Sequence, residues 1–209
     1  MLRQERRVEL KVVKESTKVD QTSKFSRDTY NKTSKDSFLA RMASRAPMNV
    51  RSFPRPPLLE QISRHLQIKY KGELIADTTQ AYWALETHHP PTDACTLLPN
   101  TAYYLPPSSV KVSLTKTGRK TWCEWKGMAT YFSLRLGGQD VSNRIWTYEE
   151  PTAGFEPIRG YLSFYAGPWD CFVDGEQVVP QPGDFYGGWV TAELQGIVKG
   201  RTGNLDPIV

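Results

Sequence analysis

The chain has 209 residues, enough for one domain of ordinary size with a segment to spare. Its formal net charge of +5 is unevenly placed: residues 1–52 carry 13 Lys+Arg against 6 Asp+Glu, and the remainder carries 14 against 16. The body of the chain therefore lacks the positive excess that phosphate backbones require, which argues against nucleic acid as its partner.

Residues 1–52 are rich in Lys, Ser, Thr and Asp and poor in large apolar side chains. Such a segment buries too little to offset its ordering entropy, so a disordered basic tail is expected there, with one domain over 53–209. The tail has no apolar stretch of the signal-peptide kind, and its six acids are unlike a mitochondrial presequence. Met42, in RMASRAP, is a candidate start. No apolar run approaches the roughly 18 residues of a membrane span. Cys95, Cys123 and Cys171 form neither a CxxC pair nor a metal-ligand spacing. An odd cysteine count without a signal peptide fits a reducing interior. The expectation is a cytoplasmic protein with no metal, no cofactor and no membrane partner.

FPRPP makes a stiff, extended entry to the domain. In LQIKYKGELIAD, Leu66, Ile68 and Tyr70 alternate with Gln67, Lys69 and Lys71, and Gly72 permits a tight turn, which predicts a hairpin. TTQAYWALE reads as one or two helical turns, ended by HHPP. YYLPPSSVKVSL predicts two short strands around a Pro-Pro corner. In ATYFSLRL, the period of two puts Phe132, Leu134 and Leu136 inward and Tyr131, Ser133 and Arg135 on the other face. VDGE places Asp174-Gly175 between apolar strands, the chemistry of a two-residue type I′ turn. The remainder, punctuated by Gly and Pro, predicts loops and one short strand wrapping the domain. IKYKGELIADT with YWALE is echoed by SLRLGGQDVSNR with WTYEE, either an internal repeat or the ordinary likeness of two hairpins. The expected fold class is all-β with minor short helix.

KGELIAD, LETHHPP, YYLPPSSV, WCEWKGMATYFSL, NRIWTYEEP and IRGYLSFY, in this order over about residues 56–176, resemble the domain-of-unknown-function family numbered 427, which also carries a nucleotidyltransferase-like label. FYAGPWDCFVDGEQVVPQPGDFYGGWV looks like its fungal branch. The resemblance implies a compact, tent-like domain of the Mss4 type, built from hairpins in two sheets. Metal-binding members of that fold carry paired CxxC knuckles, which this chain lacks. The family runs almost directly from HHPPT to YYLPP, whereas here Asp93–Ala102 intervenes, as a surface loop or as retained intron sequence. The label finds no support in the residues. Nucleotidyl transfer uses a glycine turn followed by paired carboxylates, but Gly137-Gly138 leads into Gln139-Asp140-Val141, and Gly187-Gly188 is followed only by Glu193.

Four groups of residues carry candidate chemistry. Cys123 and Lys126 would meet only if the chain turns at WKG; an ammonium beside a thiol favours thiolate, while a buried free cysteine otherwise acts as a small hydrophobe. Glu86 and His89 in ETHHPP suit an acid–base pair, or else a hydrogen-bonded corner. Tyr104, Tyr131, Trp146, Tyr148 and Tyr165 suit the wall of a small-molecule pocket or a plain core. Asn143 is a polar partner for those phenols or makes an Asx turn. The expectation is a pocket lined by Glu86, His89, Cys123, Lys126, Tyr131, Asn143 and Trp146 that takes a small polar or anionic ligand. The alternatives are an interaction module using Phe185, Tyr186 and Trp189, and nucleotidyl transfer on the label alone.

Overall fold

The structure is a computed structural model that describes residues 47–86, 100–181 and 187–195. The expectations for the tail before Met42, for His89, for Cys95 and most of the intervening segment 93–102, and for Phe185 and Tyr186 lie outside the described residues.

The fold is all-β, with helix confined to three single 3-10 turns among the described residues. Its strands are β1 (Met48–Asn49), β2 (Leu58–Ile62), β3 (Leu66–Tyr70), β4 (Glu73–Thr78), β5 (Ala81–Glu86), β6 (Asn100–Leu105), β7 (Leu114–Cys123), β8 (Gly127–Leu136), β9 (Gln139–Tyr148), β10 (Leu162–Phe164), β11 (Asp170–Val173), β12 (Glu176–Gln177), β13 (Val179–Pro180), β14 (Trp189–Val190) and β15 (Leu194–Gln195). A seven-stranded sheet runs β2-β5-β6-β10-β9-β8-β7, and a four-stranded sheet runs β12-β11-β3-β4. β13 pairs with β14, and β1 runs parallel to β15. No helix among the described residues is long and apolar enough to cross a membrane.

The turns form where turn chemistry predicts them. Lys71-Gly72, Gly137-Gly138 and Asp174-Gly175 all have positive φ at both positions, the type I′ geometry that matches the twist of the strands they join. Asp174 is further fixed because its carboxylate accepts from the His65 N–H and from Arg64 Nε.

Around β5 and β6 the seven-stranded sheet is buried on both faces, and this overturns one expectation. AYWALE is the strand β5, not helical turns: Tyr82, Ala84 and Glu86 face one way, Trp83 and Leu85 the other. A strand covered on both sides reads as continuous apolar sequence and hides its period of two. In β8 both Tyr131 and, on the opposite face, Leu134 are buried, which fits Tyr131 as part of the core or of a pocket wall. After Leu105 the chain turns through a 3-10 turn at Pro107–Ser109, and the next strand begins only at Leu114. Packing also starts upstream of the Ser52 division, since Met48 and Val50 are buried. From Pro180 on, the chain contributes the end of β13 and all of β14 and β15, more strand than the one expected. The two halves of the suspected repeat differ in placement: Trp83 stacks on Tyr103 on one face, while Trp146 packs against Tyr165 on the other.

Residues directly opposite across strands share a face. One face carries the row Tyr82, Tyr104, Ser163, Trp146 and Tyr131, covered by Phe155 and Ile158 from the β9–β10 connection. The other meets the four-stranded sheet: Trp169 bridges Phe164 and Tyr70, and the Arg64 guanidinium lies 5.8 Å over Trp83.

Candidate functional site

The face under Phe155 gathers the polar groups. β7 ends at Cys123 and β8 begins at Gly127, whose φ of +93 closes the turn the sequence requires. The Thr152 N–H donates to Lys126 O, and Thr152 Oγ1 donates to Trp125 O, which ties the turn to the β9–β10 connection. Lys126 is thereby directed under Phe155, whose ring it faces at 5.7 Å, and its Nζ donates to Glu86 Oε2 at 2.6 Å. Glu86 arrives from the end of β5, so the ion pair joins strands that are not neighbours. The side chains are 5% and 18% exposed for Lys126 and Glu86.

Burial alone would lower the Lys126 pKa, but Tyr104, Glu86 and Cys123 around it outweigh burial and raise it. Burial pushes the Tyr104 phenol up to about 12, so at neutral pH that phenol is uncharged and Glu86 is the counter-ion. Tyr148 is also raised, by burial first and next by Tyr104 and Cys123 beside it. The Tyr104 and Trp146 rings meet edge-on with centres 6.4 Å apart, and the Tyr131 phenol is within 2.9 Å of Thr121 Oγ1. Ser163 Oγ, at the centre of the aromatic row, is buried without a hydrogen-bond partner.

Of the residues the sequence singles out, Glu86, Cys123, Lys126, Tyr131 and Trp146 lie on this one face, with Cys123 half-buried at its margin. His89 is outside the described residues. Asn143 does not face Glu86 or Lys126. It sits in a bulge of β9 with φ +56, where its Oδ1 accepts from Thr117 Oγ1 at 2.7 Å. Trp189 is buried, its Nε1 donating to Phe164 O, so it offers no docking surface. Gly137-Gly138 is a hairpin turn, and Gly187 packs against the Tyr165 ring. Among the described residues no three His, Cys, Asp or Glu side chains are grouped to hold a metal ion.

Sequence reasoning missed Arg119 and Arg144, which lie over Tyr131 and Tyr165 at 4.8 and 5.1 Å from the ring centres. The available signal was a residue of turn or bulge chemistry, Gly118 or Asn143, directly before each arginine.

These observations define an all-β domain whose main sheet buries an aromatic face around a lysine–glutamate ion pair. The chain belongs to the family described as a domain of unknown function (DUF427) and labelled NTP_transf_9, whose sequence model matches residues 58–175. No curated protein matches the chain.

Proposed function

We infer that this domain binds a small polar or anionic ligand at the Lys126 end of the aromatic face. The observation that carries the reading is a buried ammonium whose one oxygen partner among the described residues is Glu86, set beside the Phe155 ring. A buried ion pair adds little to stability compared with apolar residues of the same shape, so its presence calls for a reason other than folding. An ammonium has three donors, and Glu86 takes one. A ligand carbonyl, carboxylate or phosphate oxygen suits the others, with Tyr104 and Trp146 as flat walls. Ser163 Oγ, buried and unpartnered, supports the same reading, because such a group ordinarily has a partner.

Native mass spectrometry of protein purified from its own host, compared with a Lys126→Met variant, tests this. A co-purifying small molecule on the parent that is lost from the variant is the expected result. Equal retention by both places the ligand elsewhere.

A second reading, a non-catalytic interaction module, is favoured by Trp122 and Met128. They lie opposite each other across β7 and β8 and are 68% and 42% exposed. Concentration-dependent association that disappears in Trp122→Thr would support it.

A further inference from the structure

β7 is a margin of the seven-stranded sheet, and among the described residues no strand pairs with its outer side. None of its ten residues is buried, whereas Ala129, Tyr131 and Leu134 of β8 beside it are. The β4 margin of the other sheet, by contrast, is closed by the Lys111 N–H, which donates to Ile75 O. In a regular antiparallel ladder every second residue turns its N–H and C=O away from its neighbour. Lys120–Cys123 pair without a break to Thr130–Gly127, so two of these four residues present both groups outward. Below them the ladder is interrupted. Between Lys116 and Lys120, four steps of β7 face two of β8, and β9 carries a matching bulge between Val141 and Ile145. Two further observations converge on the unbroken stretch. Trp122 and Met128, opposed across β7 and β8, are two of the three exposed large apolar side chains among the described residues. β7 also carries Lys116, Arg119 and Lys120 and no acid, although residues 53–209 as a whole hold 14 Lys+Arg against 16 Asp+Glu. Of the three cations only Lys116 has a carboxylate partner, Glu149, among the described residues.

We propose that the Lys120–Cys123 edge takes an extended acidic segment of another protein as an added strand. The proposal rests on the interaction-module reading and deepens it by naming the form and charge of the partner. Backbone pairing supplies the attachment, and alternate side chains supply the choice. The period of two puts Lys120 and Trp122 on one face of β7. A fitting partner therefore carries an acid beside Lys120 and, two positions along, an apolar residue beside Trp122. A second copy of this chain fits poorly, because two β7 edges would bring their cations together along one seam. The bulge acts in the same sense: it confines pairing to the short regular stretch and keeps the whole edge from indiscriminate growth.

The test is a titration of the full-length, 15N-labelled protein with capped synthetic hexapeptides. It is read at the β7 amides, so that attraction to the basic residues 1–52 is not counted. Thr-Glu-Thr-Val-Thr-Glu has the required alternation, and Thr-Lys-Thr-Val-Thr-Lys reverses its charge. Pro-Glu-Pro-Val-Pro-Glu keeps the charge and removes backbone donors. Saturable shifts and slowed hydrogen exchange at Lys120–Cys123 are expected with the first peptide alone. Trp122→Thr, which keeps a strand-forming residue, should weaken that peptide about tenfold, the scale of partly covering one large apolar side chain. Lys120→Glu should turn the preference to the lysine peptide while thermal unfolding stays unchanged. An equal response to the proline peptide overturns the proposal, because the attraction is then charge alone. No response at β7, or an equal response to the lysine peptide, also overturns it. So does protection of these amides that rises with protein concentration in the absence of peptide, since a second copy is then the occupant. If association of the protein is lost in Trp122→Thr while the β7 amides ignore the acidic peptide, the interaction module stands and the added strand falls.

Discussion

Glu86 and Lys126 are unequal partners, and removing one is predicted to cost far more than removing the other. In Glu86→Ala the ammonium keeps its burial and loses its oxygen partner, leaving the Phe155 ring at 5.7 Å. Breaking a buried pair in this way costs about 3–5 kcal/mol. The cost has a ceiling, because the lysine can release its proton: from an ordinary pKa of about 10.4, neutralisation at pH 7 takes about 4.6 kcal/mol. In the variant the folded pKa falls below the unfolded one, so the unfolded state binds more protons and stability rises with pH. The slope approaches about 1.4 kcal/mol per pH unit below pH 10, once the folded lysine is neutral. The parent behaves oppositely, since its Lys126 pKa is raised: the pair's contribution is complete below about pH 10 and is lost only above it. Lys126→Met leaves Glu86, which is 18% exposed and keeps part of its hydration, while methionine fills the apolar space; about 1–2 kcal/mol is expected. The double variant should fall within about 1 kcal/mol of Lys126→Met, giving a coupling of several kcal/mol. Urea unfolding followed by tryptophan fluorescence at pH 7 and pH 9 measures all four proteins. If Glu86→Ala loses less than about 1 kcal/mol and its loss is the same at both pH values, the ammonium is not held as described.

Three further outcomes are expected. An alanine Cβ at Gly187 would stand 2.5 Å from Tyr165 Cδ1, at φ +64, so Gly187→Ala should lose about 2–4 kcal/mol by thermal unfolding, and a change below about 0.5 kcal/mol would show the segment to be loosely seated. Burial pushes Tyr104 to about 12 and raises Tyr103, Tyr148 and Tyr165 as well, so their contribution is complete below about pH 10 and is lost as pH rises beyond it. Absorbance at 295 nm and near-ultraviolet circular dichroism should therefore change together above pH 10, and gradual ionisation of all tyrosines near pH 10 with the fold intact would contradict the burial. In a Cys95→Ser background, half-buried Cys123 should react with a thiol reagent well before buried Cys171, and Cys123→Ser, whose hydroxyl stays near solvent, should cost less than about 1 kcal/mol; equal labelling rates would count against this placement.

What the sequence discloses depends on whether a residue's environment is local. Asp174-Gly175 and Lys71-Gly72 form their turns from their own backbone preferences, so both hairpins were legible. The meeting of Cys123 and Lys126 on one face was legible as a condition, a turn at WKG, which Gly127 supplies. β5 was not, because Ala, Leu and Glu favour helix and the strand owes its form to neighbours on both sides and both faces. For Tyr131 the alternation told only that it lies on the face opposite Phe132 and Leu134; what lies over its ring comes from another strand and was not legible there. Arg119 and Arg144 were hidden because a bulge interrupts the alternation by which strand faces are read, and Asn143 was recognised as turn-forming without its partner Thr117.

The size of the two bulges has an evolutionary consequence. One extra residue would turn every later side chain to the opposite face, but each bulge offsets the register by two, and the faces beyond it are unchanged. Trp122 and Met128 stay opposed above one bulge, as do Leu114 and Leu134 below it. A pair of residues can therefore enter or leave at Gly118-Arg119 or at Asn143-Arg144 without re-sorting the core. The arginines are detachable in this sense: a lineage can acquire or discard them in single steps of two codons, on a sheet whose interior is indifferent to the change.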